Sequence, residues 1–383
     1  MERLRLYRNP DGSVGVRRHV VVLGLNAFCA TAARRVGEMV PGTTVVVHPH
    51  GRNEVGTNRE RLERSLRGIV GNGNVHSVLV VGYERQTTER FVDEARAATG
   101  KRVEAVVVLE SGGSWGAALE GARKAASLVL DVSQAGREDA EWGELRVGVK
   151  CGGSDGSSVL AANPVVGRCA DRLVDLGAAV LFSETTEIIG AEHLLAQRAR
   201  TAEVAERILQ AAQANLGAAR AAGVDLVGTN PVPDNIAGGI TTIEEKALGA
   251  ILKTGSRTIE GVLDYGQPPR GSGLYFMDSP SGAHEVMSGF AVAGCQVILF
   301  ATGSCNPVGN ALVPVVKVCG NREWAARMAD HVDVDVSGVV EGDRNLEEAA
   351  EAVWAYLRDV LNGRPTRAEL CGHVEFSVVP TGL

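Results

Sequence analysis

The sequence predicts an α/β protein of two domains with mainly parallel sheets. Apolar runs of strand length alternate with amphipathic or alanine-rich helical segments along most of the chain, and such alternation is typical of parallel βαβ units. A polar, charged stretch at 134–144 interrupts this pattern. It separates a first domain, residues 1–138, from a second domain, residues 145–383.

The composition is that of a globular protein, with 45% hydrophobic and 22% charged residues in a chain of 383. A net charge of −7 and the lack of a dense Lys/Arg run argue against a nucleic-acid partner, whose phosphates demand a basic face. The sequence shows no signal peptide and no apolar stretch of transmembrane length, so we expect a cytoplasmic protein with no membrane partner. Seven cysteines without a CxxC pair favour a reducing compartment.

The first domain begins with a turn signal at 9–12, which predicts a hairpin or lead-in arm over 4–18. Thr57 and Glu60 form a capping-box pattern that predicts the start of a helix. The other predicted elements are a strand from His19, a helix over Cys29 to Met39, strands over Thr43 to Val47, Ser77 to Gly82 and Val103 to Leu109, and a helix over Ser114 to Leu130.

The second domain opens with a strand, a glycine-rich turn and a helix within residues 147–167, and we expect the helix to begin near Asn163-Pro164. The turn carries Cys151, Ser154 and Asp155. Backbone N–H groups freed by glycine, beside a helix N-terminus, form a pocket for a carboxylate or phosphate. Glycine is also the ordinary residue on which a strand leaves its sheet, so a purely structural turn is the alternative.

A second apolar strand, over 179–182, ends in the acids Glu184 and Glu187. Ligands of open parallel sheets bind outside the carboxyl ends of the strands. We therefore expect Asp155 and Glu184 to lie close together at one edge, where carboxylate oxygens suit a divalent cation. The rest of the domain is predicted to contain a helix over 199–222, an irregular loop over 229–239, a helix over 241–254, strands over 297–302 and 313–318, and helices over 322–331 and 346–361.

Four segments resemble the altronate/galactarate dehydratase family, which includes the large subunit of sulfolactate sulfo-lyase. They are CGGSD with ANPVVG, SETTEIIGAEHLL from Ser183, NPVPDNIAGGITTIEEKALG from Asn230, and the stretch from Leu299 to Val318. The resemblance implies a first domain that helps to form a homodimer and a second, Rossmann-like variant domain. The small SAF-like domain of many members is not found in this sequence, which makes a separate small subunit a partner to look for.

The resemblance also implies elimination chemistry on a small-molecule hydroxy acid, with a divalent metal (Fe²⁺, Mn²⁺ or Mg²⁺) as cofactor. The predicted metal ligands are Asp155, Glu184 and Glu187, with capping or supporting roles as the alternative. In such a reaction a base removes the proton α to the carboxylate, the enediolate is stabilised, and the β-hydroxyl leaves. The substrate-binding residues we assign are Gly152, Gly153, Ser154, Asn230, Asn235, Gly238, Gly239, Thr302 and Ser304.

Three residues are candidates for catalysis: Cys151, His193 and Lys246. Lysine and histidine are common bases in such reactions. The alternatives are a packed histidine on a helix face, a solvated surface lysine and a buried cysteine that behaves as a small hydrophobe. His48 and His50 are either a cation site or ordinary surface histidines.

The chain departs from the family pattern at several positions. Arg52 and Tyr83 stand where family members usually carry cysteines, so no iron–sulfur cluster is expected. Ser304 and Ile236 replace an arginine and a lysine, and a hydroxyl does not replace a bidentate Arg–carboxylate contact. We therefore expect a substrate with a single anionic group.

Those departures leave two other functions open, namely a different leaving group, as in a sulfo-lyase, and a non-catalytic paralogue. A nicotinamide dehydrogenase is disfavoured because no GxGxxG follows a strand.

Overall fold

The computed structural model describes residues 4–224 and 230–378. Its strands form three sheets. The antiparallel sheet contains β1 (Leu4–Arg8), β2 (Val14–Gly15) and β7 (Glu138–Ala140). The small parallel sheet contains β3 (His19–Gly24), β4 (Thr43–Val46), β5 (Val75–Gly82) and β6 (Arg102–Val107). The large parallel sheet contains β8 (Arg146–Cys151), β9 (Ala179–Phe182), β10 (Ile259–Leu263), β11 (Gly273–Met277), β12 (Val297–Thr302), β13 (Val315–Cys319) and β14 (Val334–Asp335).

The helices connect and cover these sheets. Those of the first half are α1 (Ala30–Met39), α2 (Gly56–Gly71), α3 (Arg85–Thr99), α4 (Ser114–Val132), α5 (Asn163–Asp175), α6 (Glu192–Ala196) and α7 (Ala202–Ala221). The later ones are α8 (Pro233–Ala237), α9 (Ile243–Ile251), α10 (Ala283–Val292), α11 (Arg322–Arg327), α12 (Gly338–Glu341), α13 (Leu346–Leu361) and α14 (Arg367–Leu370). Within 4–224 and 230–378, no helix has the length and apolar character needed to cross a membrane.

The two parallel sheets share a hydrophobic core. One face of the small sheet packs on α1 and α4. Its other face, with α2 and α3, meets α10 and one face of the large sheet in a single apolar cluster that includes Val80 and Phe290. The opposite face of the large sheet is covered by α5 and α13. Helices on both faces bury the sheets, which explains why their strands are continuous runs of apolar residues.

The order of the large sheet, β10-β11-β9-β8-β12-β13-β14, reverses between β8 and β12. From β8 the chain builds the sheet in one direction, and from β12 it builds in the other. All the strand pairs in this sheet are parallel, so the carboxyl ends of β8, β9 and β12 lie at the same edge. A crevice opens at such a reversal and is the usual binding place in open α/β sheets.

The α/β class and the parallel sheets of the prediction are confirmed, while several boundaries differ. Helical structure begins at 156–157 and continues through a π-helical segment, Ser158–Ala162, rather than starting near Asn163. The Thr57 capping box is wrong, because Val55 precedes α2 and no side chain caps it. The polar segment 134–144, predicted as the break between the domains, contains strand β7. The predicted irregular loop over 229–239 contains helix α8, and its first residue, Thr229, lies outside the described residues. Strands β10, β11 and β14 and helices α3 and α10 were missed.

Candidate active site

A cavity of about 210 Å³ lies at the carboxyl edge of the large sheet, beside β8, β9 and β12. Helices α8 and α9 also line it, and Ser281 and Ala283 line it at the start of α10. Most of the predicted site residues line this cavity, namely Cys151, Gly152, Gly153, Ser154, Glu184, Glu187, Asn235, Lys246 and Ser304. The edge predicted from the strand ends is therefore the edge that holds a cavity.

Glu184 is the centre of a buried charge cluster. Its Oε1 lies 2.6 Å from Lys150 Nζ, and its Oε2 lies 3.0 Å from Lys253 Nζ. The backbone N–H of Cys151 also donates to Oε2, at 3.2 Å. Burial favours the neutral acid, but the two ammonium groups outweigh it and lower the pKa of Glu184. All three charged side chains are at most 2% exposed.

The backbone of Glu184 is left-handed, with φ +76°. This conformation is rare for a residue with a side chain and costs free energy, so the surrounding contacts must hold it. The turn follows β9 directly and directs the carboxylate back towards β8, where Lys150 and Cys151 stand. A strained residue at the centre of a charge cluster is typical of a functional site.

Cys151 lines the cavity and contacts Lys253, which does not line it, with 3.4 Å between Sγ and Nζ. Burial raises the pKa of the Cys151 thiol to about 11, so the sulfur carries a proton at neutral pH. Burial alone would lower the pKa of Lys253, but Cys151 and Glu184 raise it. Lys253 is therefore a fixed cation, and Cys151 is a weak hydrogen-bond donor rather than a thiolate.

Lys246 forms a second ion pair, with 3.2 Å between its Nζ and Glu187 Oε2. It also donates to Asn230 Oδ1, and Asn230 in turn donates to the carbonyl of Thr186. Glu187 Oε2 is buried and accepts no hydrogen bond from any residue that the structure describes. Thr242 caps the helix that carries Lys246. The ammonium is thus held at the cavity wall from two sides.

The glycine-rich turn has the form expected of an anion cradle. Within 4–224 and 230–378, the backbone N–H groups of Gly153 and Ser154 have no hydrogen-bond acceptor. Gly153 has φ +63°, a left-handed conformation that favours glycine, and a Cβ there would lie 2.5 Å from Ser304 Oγ. Its carbonyl accepts from the N–H groups of Gly303 and Ser304 at 3.0 and 2.9 Å. The two free donors can therefore bind an anion.

Asp155 follows β8 as expected but is not among the residues that line the cavity. Its carboxylate accepts hydrogen bonds from Ser157 Oγ at 2.5 Å, Ser158 N at 2.9 Å and Asn321 Nδ2 at 3.0 Å. Acceptance from a backbone N–H three residues on is the geometry of a helix cap. Asp155 thus joins the start of the helical segment to α11.

The three predicted metal ligands do not fit a divalent cation in this arrangement. Glu184 and Glu187 each face a lysine ammonium, and Asp155 is occupied by three donors. Among the described side chains, no three of His, Cys, Asp or Glu are grouped so that they could hold a metal ion. A cation would have to displace lysines from buried ion pairs, which is costly.

The remaining predicted site residues are Asn235, Gly238, Gly239, Thr302 and His193, and only Asn235 lines the cavity. Asn235 donates to the carbonyl of Ser154 at 2.9 Å, and Gly238 accepts from Gly156 N at 2.8 Å. Thr302 is buried and its Oγ1 accepts from Asn306 N at 3.3 Å. Gly239 and His193 do not line the cavity, and the His193 side chain is exposed on α6.

His48 and His50 lie beyond β4, at the small sheet. Their rings stack with 5.3 Å between centroids, and His50 Nε2 is 2.7 Å from the carbonyl of Val378. Arg52 lies 5.0 Å above the Tyr83 ring at the same edge. These positions are separate from the cavity of the large sheet.

Sequence reasoning missed Lys150 and Lys253, the two lysines that hold Glu184. A signal existed for Lys150, because it stands inside the apolar strand β8, where lysine is seldom buried without a partner. Lys253 follows α9 in a three-residue turn that ends at Thr254, and nothing in that stretch points to Glu184. Ser281 and Asn306 also line the cavity and were not predicted.

One family model, D-galactarate dehydratase/Altronate hydrolase, second domain, matches residues 6–133. Another, D-galactarate/Altronate dehydratase, C-terminal, matches residues 142–383. The chain is 42% identical to (2R)-sulfolactate sulfo-lyase subunit beta of Chromohalobacter salexigens, over 97% of this chain and 95% of that protein. It is 30% identical to altronate dehydratase of Bacillus subtilis, over 98% and 77%, and 28% identical to altronate dehydratase of Escherichia coli, over 99% and 78%.

Proposed function

The chain belongs to the D-galactarate/altronate dehydratase family, and from this premise we propose that it is the catalytic subunit of a lyase that eliminates sulfite from a three-carbon 2-hydroxy acid with a sulfonate at C3. Relatives named as lyases and dehydratases support an elimination. The sulfo-lyase relative, at 42% identity over nearly its whole length, favours sulfite over water as the leaving group.

The observation that carries this proposal is the excess of buried positive charge at the cavity. Among the described residues, Lys150 and Lys253 pair with the Glu184 carboxylate and Lys246 pairs with the Glu187 carboxylate. The third carboxylate of the lining, Asp234, is exposed, so the buried lysines outnumber the buried carboxylates. Fixed cations of this kind bind an anionic substrate and stabilise negative charge that develops during reaction. The cavity, at about 210 Å³, is small and suits a short acid better than a six-carbon one.

The proposed reaction breaks two bonds of the substrate. A base takes the proton from C2, the electron pair moves between C2 and C3, and the C3–S bond breaks so that sulfite leaves with its bonding pair. The resulting enol becomes a 2-keto acid by taking a proton at C3. In a dehydratase the same steps would expel a hydroxyl group from C3.

We assign proton removal to Lys246, the lysine of the cavity wall that is outside the Glu184 cluster. Lys246 Nζ lies 3.2 Å from Glu187 Oε2, so the ammonium that attracts the substrate can pass its proton to this carboxylate before it acts as the base. Lys150 and the N–H groups of Gly153 and Ser154 bind the carboxylate and stabilise the enediolate. Lys253 positions Lys150 indirectly, through Glu184.

The lysines of the cavity favour a substrate with more negative charge than the single anionic group expected from the sequence. That expectation rested on Ser304 and Ile236, which lack the charge of their family counterparts. Lys150 and Lys246 supply cations from other positions of the same site. We therefore propose a substrate with two anionic groups, a carboxylate and a sulfonate.

A second, smaller polypeptide is part of the proposal. The relative of similar length is named a subunit beta, whereas the altronate dehydratases extend beyond the region that aligns with this chain. Purification of the tagged chain from its native cells tests this. A smaller polypeptide in equal amount supports the proposal, and a fully active assembly of this chain alone contradicts it.

An assay with three acids tests the reaction itself. The protein is incubated with sulfolactate, altronate and galactarate, after treatment with EDTA and again with Fe²⁺, Mn²⁺ or Mg²⁺, and sulfite and 2-keto acid are measured separately. We expect equal amounts of both products from sulfolactate. A 2-keto acid from altronate alone would identify a dehydratase, and no product from any acid, with the partner present, would favour a non-catalytic paralogue.

The comparison of EDTA-treated protein with protein given Fe²⁺, Mn²⁺ or Mg²⁺ tests whether the reaction needs a divalent metal. None of the steps above depends on a metal, because the carboxylates are held by lysines. Full turnover after EDTA is the expected result. Activity that returns only with Fe²⁺ would contradict this metal-free sequence of steps.

A further inference from the structure

Two cysteines meet directly behind one wall of the cavity. Cys305 follows β12 and Cys319 ends β13, and their sulfur atoms are 3.1 Å apart. Both residues are at most 1% exposed. Thr302 is the register partner of Cys319 in the sheet, so the strands bring the two segments together. All seven cysteines of the chain are free thiols.

The loop that carries Cys305 is part of the site. Ser304 and Asn306, its two neighbours, both line the cavity. Cys305 itself has φ +59°, and together with Glu184 it makes the two non-glycine residues of the described chain in the left-handed region. Because Cys305 is bonded to both of these residues along the chain, a displacement of Cys305 also displaces Ser304 and Asn306.

The two thiols differ in their readiness to react. The hydrogen bond between them raises the pKa of Cys305 and lowers the pKa of Cys319. A thiolate, not a thiol, reacts with peroxides. Cys319 is therefore the sulfur that reacts first, with Cys305 in contact with it as the second thiol.

We propose that Cys305 and Cys319 form a redox modification site, in which a peroxide converts the pair to an intramolecular disulfide that fixes the 304–306 wall of the cavity. This goes beyond the proposed lyase activity and does not depend on it. Neither cysteine lines the cavity, so a small oxidant reaches the pair only when the loop between Ser304 and Asn306 moves.

The chemistry is balanced without a cofactor. The Cys319 thiolate attacks one peroxide oxygen, the O–O bond breaks, and Cys319 becomes a sulfenic acid while hydroxide leaves. The Cys305 sulfur then attacks the Cys319 sulfur, the S–O bond breaks, and a second hydroxide leaves. With hydrogen peroxide the sum is two thiols and one peroxide giving one disulfide and two water molecules.

Only a small movement is needed to close the bond. A disulfide requires about 2.05 Å between sulfurs, so the atoms must approach by about 1 Å from their present 3.1 Å. Cys319 lies in a sheet, whereas Cys305 lies in a loop, so the loop makes most of the movement. That movement draws Ser304 and Asn306 towards β13 and should impair the site reversibly.

Peptide mapping under non-reducing conditions tests the proposal. The folded protein is treated with hydrogen peroxide, remaining thiols are alkylated, and the peptides are identified by mass before and after dithiothreitol. We expect a linked Cys305–Cys319 peptide that lacks two hydrogens and separates on reduction. Persistence of two alkylatable thiols, or oxidation of Cys319 to the sulfonic acid with no linked peptide, would overturn the proposal.

Matched variants separate this site from the other cysteines. Cys305→Ser and Cys319→Ser should each abolish the linked peptide, and agreement between the two guards against a folding defect in either. Cys295→Ser is the control, because Cys295 is equally buried and has no cysteine beside it among the described residues. It should leave the link intact. Peroxide should consume two thiols in the wild-type protein; the same loss of two thiols in both serine variants, neither of which can form the Cys305–Cys319 bond, would refute the pairing.

Discussion

The small and the large parallel sheets each have a cavity at the carboxyl edge, and the two cavities differ little in size, about 220 and 210 Å³. At the small sheet the charged groups are open to solvent. Arg59 and Glu63 pair with 58% and 38% of their side chains exposed, and Arg67 with Glu94 with 57% and 45%. At the large sheet the Lys150 and Glu184 side chains form an ion pair in which each is only 2% exposed.

The two edges are therefore distinguished by the burial of their charged groups and not by cavity size. Exposed pairs are screened by water and contribute little to stability or reactivity. Buried pairs are costly to form and costly to break, so their presence indicates a function other than stability. The difference between the two edges leads to four predictions.

The largest effect is expected for Glu184→Ala. It leaves the Lys150 and Lys253 ammonium groups buried without their carboxylate, which typically costs about 3–5 kcal/mol. Urea unfolding measures the decrease in the free energy of unfolding. Turnover of the substrate should be abolished. Glu184→Gln is the matched control, since it keeps the volume and one oxygen acceptor, and its loss should be smaller. A change below about 1 kcal/mol in the alanine variant would mean that the cluster is not buried in solution.

The next effect is expected for Lys246→Ala. If Lys246 is the base, turnover falls by about 10²–10⁴-fold while the unfolding free energy changes much less than for Glu184→Ala. Lys246→Arg should be equally inactive, because arginine keeps the charge but does not release a proton at neutral pH. His193→Ala serves as the control and should retain activity. Unchanged turnover in Lys246→Arg would exclude lysine as the base.

A third prediction contrasts the two sheets by pH. Burial lowers the pKa of His19 and His48, both at the small sheet, to about 4. The unfolded chain binds these protons near pH 6.5, so stability falls as pH drops from about 6.5 towards 4, by about 1.4 kcal/mol per pH unit for each histidine. The pKa of Glu184 is lowered, so its contribution is lost only as pH falls below the unfolded value of about 4.5.

Unfolding by urea at pH 7, 6 and 5 measures this dependence. The double variant His19→Gln, His48→Gln should have a flatter pH profile than the wild-type protein. An unchanged profile would mean that these histidines are accessible to protons in the folded state.

The smallest effect is expected for Arg67→Ala at the small sheet. Its ion pairs with Glu63 and Glu94 are exposed, and such pairs are worth about 0–1 kcal/mol. Turnover should be unchanged. A loss of turnover comparable to that of Lys246→Ala would mean that both edges take part in the reaction.

Much of the fold could be predicted from local patterns. The apolar strands of the large sheet, such as Val297–Thr302, and the helix Leu346–Leu361 follow from continuous apolar runs and from a 3.6-residue period. The start of α2 could not, because Thr57 and Glu60 match a capping box whose hydrogen bonds the fold does not form. Strand β10 was missed because Glu260 and Gly261 interrupt its apolar residues, and β11 was missed because it follows a turn-rich segment.

The sequence by itself determined that the residues after β8 and β9 share one edge, since strands joined by a helix run parallel and end on the same side. Only the tertiary structure decided what each side chain does there. Asp155 turns towards Asn321, which is 166 residues away in the chain, and Lys253 reaches Cys151 across 102 residues. Strand direction is set by local pattern, whereas the partner of a buried charge is set by packing between distant segments, and no local pattern records that.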